Sequence, residues 1–218
     1  MRASTILYGI TATALASGAV IPKDAANTGE AAVQTAVSPD GYRYVVESEP
    51  YVEDTITTAD GVTHNVLVHP AFKRSVDAHG TSPNPNKTKR LSYKKGNGDT
   101  CDDTTLINKT SGASPSVGDC AAVRDYYRND NGHFEAAYFW DLWTSDWCRL
   151  VITRSCVFGI KSSHTDGTYF GSSNIADLVD LSINRFQSNG RIGAEGETQC
   201  ANGGPNAPSY TKWAIFAA

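Results

Sequence analysis

Five cysteines carry most of the potential chemistry of this 218-residue chain: Cys101, Cys120, Cys148, Cys156 and Cys200, with none before them. They lack zinc spacing, because no C-x-x-C pair occurs and only His133 and His164 follow Cys101. In an oxidising compartment such cysteines pair. Two bridges drawn from five cysteines allow 5 × 3 = 15 arrangements, so spacing alone does not choose among them. One thiol is left over, either free or joined to a second molecule.

Acid–base candidates are sparse. Glu195 and Glu197 stand two apart on a strand pattern, about 7 Å between Cα atoms, a range at which paired carboxylates can do glycosidase work. Two solvated charges on an exposed sheet face is the commoner meaning of that spacing. His133, Glu135, Arg154 and His164 are the residue types of a small secreted ribonuclease, but nothing in the sequence places them together. There is no G-x-S-x-G, H-E-x-x-H or P-loop. "KGNGDTC" lacks the third glycine of a dinucleotide fingerprint, and "NDNG" and "CDD" lack calcium-loop spacing. The sequence therefore predicts no catalytic residue, no cofactor and no metal.

Aromatic residues crowd one region: Tyr126, Tyr127, Phe134, Tyr138, Phe139, Trp140, Trp143 and Trp147 fall within 22 positions. Trp143 and Trp147 flank "TSD" in an expected hairpin loop. Trp140, Trp143 and Trp147 are thus a candidate interaction surface for a sugar face or a protein partner. The competing reading is that these rings wedge a small core.

The elements that must hold these residues begin after an export signal. "MRASTILYGITATALASGAV" has one charge, Arg2, then an apolar and small-residue run, then small residues from Ala16 to Ala19. This is the layout of a secretory signal peptide over residues 1–19. A membrane span needs about 20 predominantly apolar residues, more than this run supplies, so stable membrane insertion is not expected. Residues 20–90 read as a pro-segment or disordered region, with scattered Pro and Gly and two short strand-like runs, "YRYVVE" and "HNVLVHPAF", that have no evident core beside them. Residues 91–218 are long enough for one domain with a real core. They carry 11 Lys/Arg and 14 Asp/Glu, a net charge of 11 − 14 = −3, which argues against a nucleic-acid partner.

Within that domain "SPSVGDCAAVRDYYRN" and "SSNIADLVDLSINRFQSNG" have helical periodicity. The second helix is expected to be capped by Ser173 and stopped at Asn189-Gly190. "HFEAAYFW", "WCRLVITRSCVFGI", "RIGAEGETQC" and "TKWAIFAA" read as strands. The expected fold is α+β: two helices packed on one mostly antiparallel sheet, with split β-α-β character and disulfide staples.

Ordered motifs carry a resemblance. "CDDTTLINKTSGASPSVGDC" from Cys101 to Cys120, "CVFGI" from Cys156, "YFGSSNIADLVDLSINRF", "GRIGAEGETQC" to Cys200 and "KWAIF" together resemble the fungal extracellular-protein-two effectors, also described as necrosis-inducing factors. The resemblance covers about Cys101–Phe216 and none of the chain before Leu91. It implies a secreted, non-enzymatic, toxin-like virulence protein with a fold likened to a smut-fungus killer toxin. The implied partner is a host or competitor cell component or a wall polysaccharide. The alternative is a small secreted hydrolase of polysaccharide or RNA, or a wall-carbohydrate-binding module.

The resemblance also implies the framework Cys101–Cys200 and Cys120–Cys156. Cys148 departs from the family as an extra thiol, unpaired or intermolecular, and a competitor for Cys156. Glu195 stands where relatives tend to have a basic residue, and Leu106 where an aromatic is usual. In a secreted fungal precursor, Lys89-Arg90 is the kind of dibasic pair that a kexin-type protease cuts, which would make Arg90 the end of the pro-segment. Asn108-Lys109-Thr110 is a glycosylation acceptor, as is Asn86-Lys87-Thr88. Its other reading is that Asn108 and Thr110 simply organise a turn.

Overall fold

In the computed structural model, residues 34–47, 49–72, 91–136, 146–162, 167–202 and 208–218 are described. The expected signal peptide, Asn86, the Lys89-Arg90 pair, Tyr138, Phe139, Trp140, Trp143 and His164 lie outside them.

Two helices form where the periodicity put them. In α1 (Val117–Arg128), Ser116 caps the first turn by accepting the Asp119 N–H at 3.1 Å, and Cys120, Val123 and Tyr127 turn inward. Helix α2 (Ser172–Phe186) buries Ile175, Leu178, Val179, Ser182 and Ile183. Its N-cap is Gly171, not Ser173 as expected. Ser172 instead spends its hydroxyl on the carbonyls of Asp130 and Gly132, tying the helix start to the neighbouring sheet. The chain reverses after α2 through Asn189 and Gly190, both at positive φ, 52° and 71°. A helical turn also begins at residues 70–72.

Among the described residues the strands make a main sheet and two smaller ones. The main sheet runs in the order β3 (Val52–Thr57), β4 (Thr63–Val68), β9 (Cys148–Thr153), β10 (Cys156–Ser162), β13 (Ser209–Ala217), β12 (Ala194–Cys200), β6 (Cys101–Thr104), and β7 (Ile107–Asn108) also pairs with β12. All these pairings are antiparallel. Because β10 and β12 both run against β13, they run parallel to each other with β13 between them, and α2 lies in their connection: this is the split β-α-β unit. The smaller sheets are β11 (Thr168–Gly171), β8 (Gly132–Ala136), β5 (Ser92–Lys95), and the pair β1 (Thr35–Val37) with β2 (Arg43–Val45).

The one-sheet expectation is thus corrected to a larger β content. "HFEAA" leaves the main sheet because β5 and β11, neither read as a strand from sequence, supply its edges on both sides. The segment before Leu91 needs a larger correction. "HNVLV" is not a strand without a core: it forms β4, between β3 and β9, and Val66 and Val68 are fully buried in the same cluster as Leu150, Phe158 and Trp213. Its partners lie far along the chain, where local composition cannot reveal them.

Candidate functional site

The sheet buries one face against the helices. Its opposite face carries a second apolar cluster, Trp147, Ile152, Val157, Ala214 and Phe216, against which Tyr42, Tyr44, Tyr51 and Leu67 pack. Alternation in "YRY" turns Tyr42 and Tyr44 toward that face and leaves Arg43 outward. Tyr42 meets the Trp147 ring edge-on at 5.9 Å. The Arg149 guanidinium lies 3.9 Å from the Tyr44 ring centroid and 5.4 Å from that of Tyr51.

Beside this cluster lies a cleft of about 240 Å³ lined by residues of β7, β10, β12 and β13 together with Trp147. Period-two alternation along β12 points Glu195 and Glu197 to the same outer face. Lys109 Nζ is 3.0 Å from Glu195 Oε1, and the Tyr42 hydroxyl donates to Glu195 Oε2 at 3.3 Å. Glu197 stands directly across from Lys212, and Lys212 across from Lys161. Lys161 Nζ hangs 4.7 Å above the Trp147 ring. Burial, then the Lys212 charge, pushes the Lys161 ammonium below the usual lysine range. Burial, then Glu195, raises the Tyr42 phenol well above its ordinary value.

The structure brings Trp147, Glu195 and Glu197 into one cleft, but not in the roles the sequence suggested. Trp147 is only 7 % exposed, under Tyr42 and Lys161, so it offers no free face for a sugar. That corrects its place in the candidate surface, since the covering tyrosine comes from a segment read as having no core. Among the described residues, the ribonuclease-like candidates fall at two separate places. His133 and Glu135 sit on β8, with His133 Nδ1 2.9 Å from the Gly96 carbonyl. Arg154 lines a separate cleft with Glu53, Asp54 and Asn65.

Cys101 is bonded to Cys200 and Cys120 to Cys156, while Cys148 keeps a buried thiol. Its pKa is held far above the ordinary thiol value by burial, then by Glu47. Glu47, His69 and Cys148 place potential ligand atoms within 4.8 Å of one another. The His69 tautomer argues against a metal there. Nδ1 accepts the Ala71 N–H at 3.1 Å, so the proton is on Nε2, which faces Glu47 Oε1 at 3.3 Å. Coordination through Nε2 would push that proton onto Nδ1, against the Ala71 N–H.

Asn108 is exposed on β7. Its Oδ1 accepts the Thr110 N–H at 2.9 Å, and Thr110 Oγ1 donates to the Phe186 and Gly193 carbonyls. The acceptor motif therefore organises the turn, through an atom other than the Nδ2 that a glycan would occupy.

Sequence reasoning missed Tyr42, Tyr44, Tyr51, Lys161 and Lys212. The alternating tyrosines of "YRYVVESEPY" were the available signal for the first three.

Residues 100–200 match the family described as "Pathogen effector; putative necrosis-inducing factor". The chain is also 27 % identical over 122 residues to "Probable chitinase LysM18" of Penicillium expansum. That match takes in 53 % of this chain and spans only 8 % of the relative's length.

Proposed function

We propose, from the match of residues 100–200 to the pathogen-effector family, that the protein is a secreted effector that binds a host or competitor cell component rather than turning over a substrate. The family match carries this reading. The geometry supports it, because Glu195 is paired with Lys109 and accepts a hydrogen bond from Tyr42, and Glu197 faces Lys212, so each carboxylate stands opposite a lysine. A working acid–base pair needs two carboxyls in contrasting environments.

Secretion through residues 1–19, cleavage after Arg90 and a glycan on Asn108 are parts of the same proposal. We assign the contact surface to the basic side of the outer-face cleft rim, at Lys161 and Lys212. Trp140 and Trp143 stay candidates on sequence grounds.

Infiltration of the purified, oxidised secreted protein into leaf tissue tests the reading. The expected result is cell death that disappears on reduction and survives Glu195→Gln combined with Glu197→Gln. Death abolished by that double substitution in a folded protein would move the assignment to a hydrolase. No response across several hosts would overturn a host-facing role.

A wall polysaccharide as the bound component is the second reading, favoured by the name of the Penicillium expansum relative. Retention on chitin without toxicity would establish it.

A further inference from the structure

We infer that residues 34–72 are a tethered strand ligand of the domain that follows, and that they stay seated when the connection at residues 73–90 is cut. The cleavage is the one proposed above; retention of the segment is a separate claim.

The segment is bound on both sides of the sheet. Along β4, Val66 and Val68 point into the helix-side core with no exposed area, and Leu67 packs in the outer cluster. Ala71, just beyond β4, is also fully buried. Removing β4 would therefore open two apolar faces at once, together with the hydrogen-bonding edge of β9, whose Val151, Ile152 and Thr153 pair with Val68, Leu67 and Val66. Further along, the Val45 N–H donates to the Trp147 carbonyl at 2.9 Å, the Trp147 N–H to the Arg43 carbonyl at 2.8 Å, and the His69 N–H to the Leu150 carbonyl at 2.9 Å. Arg43 pairs with Asp146 at 3.1 Å, and the Ala217 N–H donates to Asp40 at 2.8 Å.

No cysteine precedes Cys101, so no disulfide can hold the segment and its retention rests on these contacts alone. They are those of an added sheet strand: main-chain bonds give adhesion, and the pockets for Tyr42, Tyr44 and Leu67 give register. Cys148 lies beneath the segment, beside Glu47 and His69, and the Tyr51 hydroxyl donates to the adjacent Arg149 carbonyl at 3.0 Å. The extra thiol is thus a built-in reporter of whether the segment is seated.

The test uses the full secreted chain with a site-specific protease sequence inserted after Lys87, and in parallel the unmodified chain treated with a kexin-type protease. Mass under denaturing conditions reports whether the chain is cut. Native mass reports whether the pieces remain together, so failure of processing at Lys89-Arg90 is distinguished from failure of retention. The expected result is a cut chain whose native mass equals the sum of both pieces, with Cys148 unreactive to iodoacetamide until denaturant is added. Loss of the N-terminal piece on cutting, with Cys148 labelled as fully as in the denatured protein, would overturn the inference.

Discussion

The Tyr42 ring lies flat against Phe216, with centroids 4.9 Å apart and planes 17° from parallel, although 174 positions separate the two residues in the chain. One comes from the segment before Leu91 and the other from the last strand. The contact joins the two ends of the described chain across the outer face of the sheet.

Tyr42→Ala removes that stacking and the edge contact with Trp147. The expected loss is about 1–3 kcal/mol, of which about 0.5–1.5 kcal/mol is the aromatic pairing beyond area burial. Urea unfolding followed by tryptophan fluorescence measures it. Tyr42→Phe keeps the ring and loses only the 3.3 Å bond to Glu195, so it should cost about 1 kcal/mol or less.

The same tyrosines set an alkaline limit. Tyr42, Tyr51, Tyr126 and Tyr127 all have phenol pKa values raised above 10.0, in each case chiefly by burial. An acid whose folded pKa is raised holds its proton more tightly when folded. Its contribution is complete below the unfolded value near 10 and is lost as pH rises from there toward the folded pKa. Melting temperature should therefore be insensitive to these groups below pH 9 and fall steeply above pH 10. Tyr42→Phe and Tyr126→Phe should each shallow that fall. A flat profile between pH 10 and 11 would contradict the burial of these hydroxyls.

The two disulfides close loops of different size, with sequence separations of 99 for Cys101–Cys200 and 36 for Cys120–Cys156. Chain entropy assigns about 5 kcal/mol to the longer loop and about 4 kcal/mol to the shorter. Removing Cys101 with Cys200 as Ala pairs should lower the denaturation midpoint at least as far as removing Cys120 with Cys156. Cys148→Ala should leave both bridges intact by peptide mapping and cost about 1–2 kcal/mol. The thiol it removes packs as a small apolar group.

Much of the helix-side architecture was legible because it is local. Val117, Cys120, Ala121 and Tyr127 mark α1 by spacing, and Ile175, Leu178, Val179 and Ser182 do the same for α2. The strand "TKWAIFAA" is readable as an unbroken apolar run, buried on both faces from Trp213 to Ala217, and Trp213, with its Nε1 donating to Thr104 at 2.7 Å, sits at its centre. What stayed hidden is non-local. Val66 lies in a strand-like run with no evident core until β9 is placed beside it, and "SYKK" looks like a linker until β8 pairs with it. The outer-face cleft was hidden for the same reason. Glu195, Lys161 and Lys212 become neighbours only once β10, β13 and β12 line up, and Trp147 looks exposed until Tyr42 is laid over it.

Lys161 offers the sharpest separation of binding from folding. It faces Lys212 across the β10–β13 pair, and like charges directly opposite each other destabilise a sheet. It also caps Trp147 with a cation, which is favourable. These two contributions are of similar size and opposite sign, so Lys161→Gln should change stability by less than about 1 kcal/mol in either direction. If the cleft rim is the contact surface, the same substitution should reduce cell death at least several-fold at equal concentration. Circular dichroism melts and leaf infiltration on one protein batch decide it. An unchanged melt with undiminished activity would clear Lys161 of any role in recognition. A matched fall in both would make it a structural residue, and only a loss of activity at constant stability places the target at this rim.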